Sequence, residues 1–379
     1  MKRKLVILTE IIAPYRIPVF NALAKHSQID LHVLFLSETD PSLRQWHVYK
    51  QEIQFAYEVL PSWRRRLGKY NAILNSGLGA ALLRTSPDVI LCGGYNYLAS
   101  WQAMYWAGRH RIPFLSWIES TSADLRRGHT LVESLKRNFM RRCDGFVVPG
   151  KSSQAYVRSY GAAEGNIFVA PNAVDVEFFR NRAAQAREQG AALRRTLNVP
   201  QRYFLFVGRL VREKGVFDLL EAYGRLAAEL RSEIGLVFAG DGVARAEMER
   251  CAAAIVPGTI RLAGFTQREQ LPSYYALAEM MVLPTHSDTW GLVVNEAMAC
   301  GLPVIASSAA GCVADLVQDE WNGRVIRAGD VGQLAEAMND MARRPGLSVM
   351  GQHSGERIQG YMPETWANGM AHAVLSVSL

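Results

Sequence analysis

The sequence predicts an α/β protein with two parallel sheets. Short, continuously apolar runs alternate with segments of helical pattern, and a continuous apolar run indicates a strand that is buried on both faces. Two series of such runs occur, at residues 5–8, 31–36, 89–91 and 146–148, and then at residues 203–207, 235–239, 281–283 and 304–306. With 379 residues, the chain has the length of roughly two compact domains.

The domain boundary is predicted between the two series. Residues 180–200 are polar and rich in Ala and Arg, which is typical of a connecting segment. The first domain is therefore predicted to comprise residues 1–180 and the second residues 195–358.

The composition indicates a cytoplasmic protein. Glu10 interrupts the basic and then apolar first residues before the apolar region of a signal peptide can form. No apolar stretch reaches the roughly 18 residues of a membrane-spanning helix. The five cysteines are scattered and lack the spacing of metal ligands, so no metal site is expected.

Residues 286–305 carry the most informative pattern in the chain. Asp288 and Glu296 stand eight positions apart, on either side of a Gly-containing turn that enters a helix. The amides of a helix N-terminus attract a phosphate, and nearby carboxylates can accept hydrogen bonds from sugar hydroxyls. The pattern predicts a ligand with both groups. The alternative is an ordinary strand, turn and helix with two surface acids.

A second pattern follows the first strand of the second domain. Arg209 and Lys214 stand five positions apart in a loop that begins at Gly208 and ends at Gly215. A loop beyond the carboxyl end of a parallel strand is where open α/β sheets bind anions. A solvated charged loop is the alternative.

These two segments resemble elements of glycosyltransferase family 4. Residues 288–296 resemble its Glu-x7-Glu signature, with Asp288 in place of the usual first Glu, and residues 208–215 resemble its Gly-Arg-x4-Lys-Gly element. The resemblance implies the GT-B architecture, in which two Rossmann-like domains face each other across a cleft. The first domain would bind the acceptor, the second would bind the nucleotide sugar, and a closing helix at about residues 360–379 would complete the first.

The resemblance also implies roles for single residues. Arg209 and Lys214 would stabilise the departing diphosphate, Asp288 would orient the donor sugar, and Glu296 would accept hydrogen bonds from the ribose hydroxyls. The amides that assist the two cations would be those of Thr289, Trp290, Gly291 and Leu292.

Two further loops complete the expected donor site. Gly208 ends the strand before Arg209, and Gly264 and Phe265 lie in a segment that resembles the family's loop beside the nucleotide base. A tight turn is the alternative for that segment. No cofactor is expected, and the donor substrate is expected to carry UDP or GDP, with ADP left open.

In the first domain the resemblance is looser. Arg16 follows Pro14 where many relatives have a Gly-rich loop near the phosphates, so it is a candidate third cation, and a Pro-stiffened turn is the alternative. Glu119 stands where many relatives have a histidine, as in the subset of the family that carries Glu-Ser. Glu119 is therefore a candidate for orienting the acceptor or removing its proton.

Two patterns that suggest other chemistry carry less weight. Asp175 and Glu177 could be a metal-binding acid pair, but the cations of the Arg209 loop already supply the charge that a metal would supply. Residues 145–152 match the letters of a P-loop, yet their middle residues read as a strand, and Pro149 lacks the amide that a phosphate cradle needs.

Two basic clusters in the first domain contribute to a net charge of +7. They comprise residues 63–70 and residues 126–142, and the second places Leu131, Leu135, Phe139 and Met140 at helical spacing. Such a helix could rest on an anionic membrane, and the alternative is a solvated helix whose apolar stripe faces the core. No nucleic-acid-binding module accompanies the charge, so nucleic acid is not an expected partner.

The resemblance thus implies a retaining hexosyltransferase that uses a nucleotide sugar and a saccharide or lipid-linked acceptor in polysaccharide or glycolipid synthesis. A nucleotide-sugar epimerase of the same architecture is one alternative. A catalytically inactive nucleotide-sugar-binding protein is another, because Asp288 and Glu119 depart from the usual family pattern.

Overall fold

A computed structural model of the chain describes residues 2–40, 46–67, 70–123, 130–255 and 259–378, except for the side chains of residues 65–67, 70–72 and 130–131. The chain divides into two compact units. Among the described residues, unit 1 lies within residues 2–122, 130–173 and 363–378, and unit 2 comprises residue 123 and the described part of residues 174–362.

Unit 1 is built on a parallel sheet. Its strands are β1 (Arg3–Thr9), β2 (Ile29–Phe35), β3 (Ala56–Val59), β6 (Val89–Cys92), β7 (Phe114–Trp117), β8 (Gly145–Val148) and β9 (Ile167–Val169). Their order is β3-β2-β1-β6-β7-β8-β9. Residues 5–8 of the central strand β1 are at most 2% exposed, because helices cover both faces of the sheet. A separate antiparallel hairpin consists of β4 (Ser62–Leu67) and β5 (Tyr70–Asn75).

The helices of unit 1 include one from the end of the chain. They are α1 (Ile17–Ala24), α2 (Leu78–Thr85), α3 (Leu98–His110), α4 (Thr130–Met140), α5 (Lys151–Ser159) and α16 (Pro363–Ser376). Trp366 of α16 is fully buried, with its ring centroid 5.6 Å from that of Phe20 and 5.4 Å from that of Trp117. Burial of these rings joins α16 to the core of unit 1.

Unit 2 is built on a second parallel sheet. Its strands are β10 (Tyr203–Val207), β11 (Gly235–Ala239), β12 (Ile260–Gly264), β13 (Met280–Leu283), β14 (Val304–Ser307) and β15 (Gly323–Ile326), in the order β12-β11-β10-β13-β14-β15. Its helices are α6 (Val176–Glu188), α7 (Gly190–Leu197), α8 (Val216–Gly224), α9 (Ala228–Glu233), α10 (Arg245–Ile255), α11 (Leu271–Leu277), α12 (Leu292–Ala299), α13 (Val313–Leu316), α14 (Val331–Ala342) and α15 (Leu347–Arg357).

The α/β fold class is as predicted, and all eight apolar runs named above form strands. Residues 145–148 are strand β8, which excludes a P-loop there. Within the described ranges, no helix combines the length and apolarity that a bilayer crossing requires.

The boundary between the two units differs from the predicted domain boundary. Unit 2 begins at Val174, and residues 180–200 contain most of α6 and all of α7 instead of a linker. Phe179 and Ala183 of α6 are buried in the core of unit 2. The polar, Ala-rich composition that suggested a linker is that of an amphipathic helix, whose small and aromatic residues face the core.

Candidate functional site

Close backbone contacts fix the loop that follows β10. A Cβ atom on Gly240 would lie 1.8 Å from the carbonyl oxygen of Gly208, and one on Gly215 would lie 2.0 Å from that of Pro284. Gly215 also has a φ of +68°, which favours glycine. These glycines let the loop pack between the ends of β11 and β13, at the carboxyl edge of the sheet.

Lys214 and Asp288 meet at this edge. The Lys214 Nζ atom donates a hydrogen bond to Asp288 Oδ2 at 2.5 Å, and the two side chains are only 16% and 18% exposed. Arg209 lies in the same loop as Lys214 and is exposed. The structure thus brings together residues from the two sequence patterns, although Lys214 and Asp288 are 74 positions apart.

Two hydrogen bonds made by Trp290 stabilise the turn from Asp288 into α12. The Trp290 amide donates to Asp288 Oδ1 at 3.4 Å, and the Trp290 indole donates to Asn295 Oδ1 at 2.9 Å. Trp290 is 3% exposed and Asn295 is fully buried. The Trp290 side chain therefore holds the turn and is closed off from a ligand. Sequence reasoning missed Asn295, although a polar residue in the apolar first turn of α12 is a usable signal.

Gly291 sets the start of α12. It is the N-cap residue, with a φ of +95°. Thr289 is exposed and Leu292 is partly exposed. The first amides of a helix have no acceptor within the helix, so this turn offers hydrogen-bond donors beside the Lys214–Asp288 pair.

Glu296 lies on α12 and is bound by a residue that the sequence did not reveal. The Tyr275 hydroxyl, from α11, donates to Glu296 Oε2 at 2.8 Å. Burial raises the pKa of Glu296 to about 7, and the hydrogen bond from Tyr275 opposes that rise. The carboxyl group of Glu296 therefore keeps its proton to a higher pH than an exposed glutamate does.

The pairing of β12 with β11 fixes the positions of Gly264 and Phe265. Gly264, with a φ of +85°, ends β12 and forms a bridge with Gly240 of the neighbouring loop. Phe265 comes next and is 40% exposed. The predicted base-binding residues therefore lie at the same sheet edge as the Arg209 loop.

In unit 1, Arg16 and Glu119 bind each other. Arg16 Nη2 contacts Glu119 Oε1 at 2.5 Å, and Arg16 Nη1 donates to Asn172 Oδ1 at 3.0 Å. The buried Asn172 closes the ring by donating from Nδ2 to Glu119 Oε1 at 2.8 Å. The Arg16 guanidinium also lies 4.1 Å from the centroid of the Trp117 ring. Glu119 thus neutralises the cation that the sequence suggested for phosphate binding.

The suggested acid pair at the start of α6 has a structural role. The Asp175 side chain caps α6 by accepting from the Phe178 amide at 2.9 Å, and Glu177 lies 3.6 Å from Arg180. In the described part of the chain, no group of three or more His, Cys, Asp or Glu residues could hold a metal ion.

The basic helix α4 is only partly a core helix. Phe139 and Met140 are buried, whereas Leu135 is 48% and Val132 is 43% exposed. The apolar positions at its end face the core, and those nearer its start are in solvent. Residues 126–127, residues 68–69 and the side chain of Leu131, which the sequence also placed in basic clusters, lie outside the described residues.

Family models match both parts of the chain. The family described as "Glycosyl transferases group 1" matches residues 193–351, and the one described as "Glycosyltransferase Family 4" matches residues 20–178. The chain belongs to glycosyltransferase family 4. The predicted site residues Arg209, Lys214, Asp288 and Glu296 lie within the first match, and Glu119 lies within the second.

Curated glycosyltransferases match this chain over part of their length. D-inositol 3-phosphate glycosyltransferase of Streptosporangium roseum is 31% identical over 204 residues, which are 51% of this chain and 45% of that protein. Alpha-D-kanosaminyltransferase of Streptomyces kanamyceticus is 32% identical over 171 residues, which are 45% of this chain and 43% of that protein. The chain thus spans about half the length of the curated relatives it matches.

Solved structures share the GT-B fold of this family 4 chain. Anabaena Alr3699/HepE in complex with UDP has a TM-score of 0.77 at 18% identity, over 100% of both chains. Sucrose-phosphate synthase from Thermosynechococcus elongatus has a TM-score of 0.74 at 19% identity, over 98% of both chains. At these identities the likeness concerns the fold.

Proposed function

We propose that the chain is a retaining glycosyltransferase that moves a sugar from a nucleoside-diphosphate sugar to a hydroxyl group of a saccharide or lipid-linked acceptor, in polysaccharide or glycolipid synthesis. The observation that carries this proposal is the contact between Lys214 and Asp288 beside the start of α12. It places a cation, a carboxylate and helix-start amides at the carboxyl edge of one parallel sheet, where such sheets bind nucleotides.

Leaving-group stabilisation is assigned to Lys214 and Arg209. As the bond between the sugar and the diphosphate breaks, negative charge grows on the diphosphate. The Lys214 ammonium and the planar Arg209 guanidinium, in one loop, neutralise that charge, and the amides at the start of α12 donate hydrogen bonds to the same diphosphate. Charge held in place before the reaction is usually the largest contribution to catalysis, because it needs no rearrangement in the transition state.

Donor orientation is assigned to Asp288 and Glu296. Asp288 accepts a hydrogen bond from the Trp290 amide, which keeps the direction of its carboxylate towards sugar hydroxyls when Lys214 turns to the diphosphate. Glu296 accepts from the ribose hydroxyls, and Gly264 and Phe265 contact the base. UDP is the first nucleotide to test, because Anabaena Alr3699/HepE was solved with UDP and with UDP-glucose.

The sugar keeps its anomeric configuration when the acceptor attacks from the face that the diphosphate leaves. The acceptor oxygen forms the new bond to the anomeric carbon, the departing diphosphate oxygen takes the old bonding pair, and the hydroxyl proton passes to the diphosphate. No enzymic carboxylate is needed as a nucleophile, unlike in retaining hydrolases. Glu119, held by Arg16 and Asn172, is assigned to orienting the acceptor hydroxyl.

Two assays on the purified chain test the proposal. A thermal-shift screen with UDP, GDP and ADP identifies the nucleotide, since a ligand at 100 times its Kd adds roughly 2.7 kcal/mol of stability. Product analysis with the matching nucleotide sugars then separates the reaction classes. Transfer requires an acceptor and releases nucleoside diphosphate, epimerisation interconverts two nucleotide sugars, and an inactive binder releases no nucleoside diphosphate. Failure of every nucleotide to stabilise the folded protein would refute the proposal.

Contact with the inner face of an anionic membrane is proposed as the setting of the reaction, which places the protein in the cytoplasm. Trp63 and Leu74 are paired across the β4–β5 hairpin and are 56% and 45% exposed. Residues 64–66 of this hairpin are three consecutive arginines. An exposed Trp in a basic stretch of sequence suits an anionic lipid surface. Sedimentation with vesicles tests this, and equal binding to neutral and anionic vesicles would contradict it.

A further inference from the structure

Tyr275 joins α11 to α12 through its hydroxyl group. The hydroxyl oxygen is 2.8 Å from Glu296 Oε2 and 3.4 Å from the Val293 carbonyl oxygen, so its single proton is donated to the carboxylate. The Tyr275 side chain is fully buried, and its ring packs edge-on against Phe179 with 6.3 Å between centroids. Packing of the ring therefore fixes the position of the hydroxyl group.

Burial and the nearby Glu296 carboxylate raise the pKa of the Tyr275 hydroxyl. It therefore stays protonated, and stays a donor, across the pH range in which Glu296 titrates. A buried carboxylate is costly unless hydrogen bonds compensate it, and a bond from a fixed donor both stabilises the ionised form and sets its orientation.

We propose that Tyr275 is a positioning residue for nucleotide binding, which holds Oε2 of Glu296 and leaves Oε1 to accept a hydrogen bond from a ribose hydroxyl. This rests on the proposed function, in which Glu296 is the ribose partner. Without the Tyr275 hydroxyl, the carboxyl group of Glu296 loses both a fixed orientation and the donor that favours its ionised form.

The other titratable groups near Glu296 leave this role to Tyr275. Cys300 caps the end of α12, four residues after Glu296, and burial raises the pKa of its thiol, so it remains neutral. Arg187 of α6 donates to the Cys300 carbonyl oxygen at 2.5 Å. In the parts of the chain that the structure describes, no ion pair with Glu296 is present. The Tyr275 hydroxyl is thus the donor that the structure places on this carboxyl group.

The test is the pH dependence of UDP binding, measured by calorimetry on the full chain between about pH 6 and pH 9. Tyr275→Phe keeps the ring and removes the hydroxyl, so we expect the midpoint for Glu296 to rise by about one pH unit. Because Glu296 is ionised in both proteins near pH 9, the loss of UDP affinity should be about fivefold larger at neutral pH than near pH 9, where the part due to lost orientation remains. A purely structural role would lower affinity equally at every pH.

Two variants make the outcome decisive. Tyr274→Phe removes a hydroxyl from the neighbouring residue of α11 and should leave both affinity and midpoint unchanged. Glu296→Gln should weaken UDP binding and remove the pH dependence that belongs to Glu296. If Glu296→Gln binds UDP as wild type does, the proposed role of Glu296 fails. If Glu296→Gln weakens binding but Tyr275→Phe keeps the wild-type midpoint, the role of Tyr275 fails and that of Glu296 stands.

Discussion

Replacing Glu296 with Gln should stabilise the protein while weakening its nucleotide binding. Burial raises the pKa of Glu296 from 4.5 to about 7. Because the folded state holds this proton more tightly than the unfolded state, the contribution of Glu296 to stability is fully present below pH ~4.5 and is lost as the pH rises through about 7. A glutamine side chain at this position carries no titrating proton, so the variant avoids this loss.

The size of the effect follows from the shift in pKa. A change of about 2.5 units corresponds to about 3 kcal/mol at 1.36 kcal/mol per unit. For a unit of this size, 1 kcal/mol moves the melting temperature by about 2–4 °C. At pH ~8.5 the Gln variant should therefore melt about 6–12 °C above wild type in the transition of unit 2, and the two should differ little at pH ~4.5.

Thermal unfolding measured across this pH range, without nucleotide, checks the prediction. Glu336 on α14 is exposed, so Glu336→Gln is a matched control that should follow wild type at every pH. A stability difference between Glu296→Gln and wild type that stays constant with pH would refute the assignment of this titration to Glu296.

Three further substitutions probe the donor site. Lys214→Ala should lower the rate of nucleoside-diphosphate release at least about tenfold, which is 1.36 kcal/mol in the barrier. The circular dichroism spectrum should be unchanged, and a near-wild-type rate would show that Lys214 has no catalytic role. Gly215→Ala places a Cβ against the Pro284 carbonyl at a positive φ, so the free energy of unfolding should fall by at least about 2 kcal/mol. Gly355→Ala is the control, because the space around its Cβ is open and its stability should not change. Trp290→Phe leaves Asn295 Oδ1 buried without its indole donor and should cost about 1–3 kcal/mol, as chemical denaturation would show.

The strands could be predicted from sequence because burial on both faces leaves a direct trace in composition. Residues 203–207 and 235–239 are apolar throughout, and each forms a strand with those bounds. The start of unit 2 could not be predicted in the same way. The polar surface of α6 dominates its composition, and Phe179 and Ala183 show their burial only once the helix is packed.

The donor-site pattern could be recognised because it is local in sequence, whereas its partners are not. Arg209 and Lys214 share one loop, and Asp288 and Glu296 flank one turn. Tyr275 reaches Glu296 from another helix, 21 positions away. The pairing of Arg16 with Glu119 spans 103 positions. Contacts of this kind depend on the order of strands in the sheet, which apolar runs alone do not specify.

Under the proposed function, the Lys214–Asp288 pair makes donor binding an exchange of partners. Before nucleotide arrives, the ammonium already has an anion at 2.5 Å in a mostly enclosed position. A diphosphate must therefore compete with the Asp288 carboxylate for the Lys214 ammonium, and this competition lowers the affinity for the donor. It does not reduce the electrostatic stabilisation that Lys214 adds as negative charge grows between the bound donor and the transition state. After transfer, the same carboxylate can take the cation back. In the proposed function, the carboxylate of Asp288 thereby favours departure of the nucleoside diphosphate.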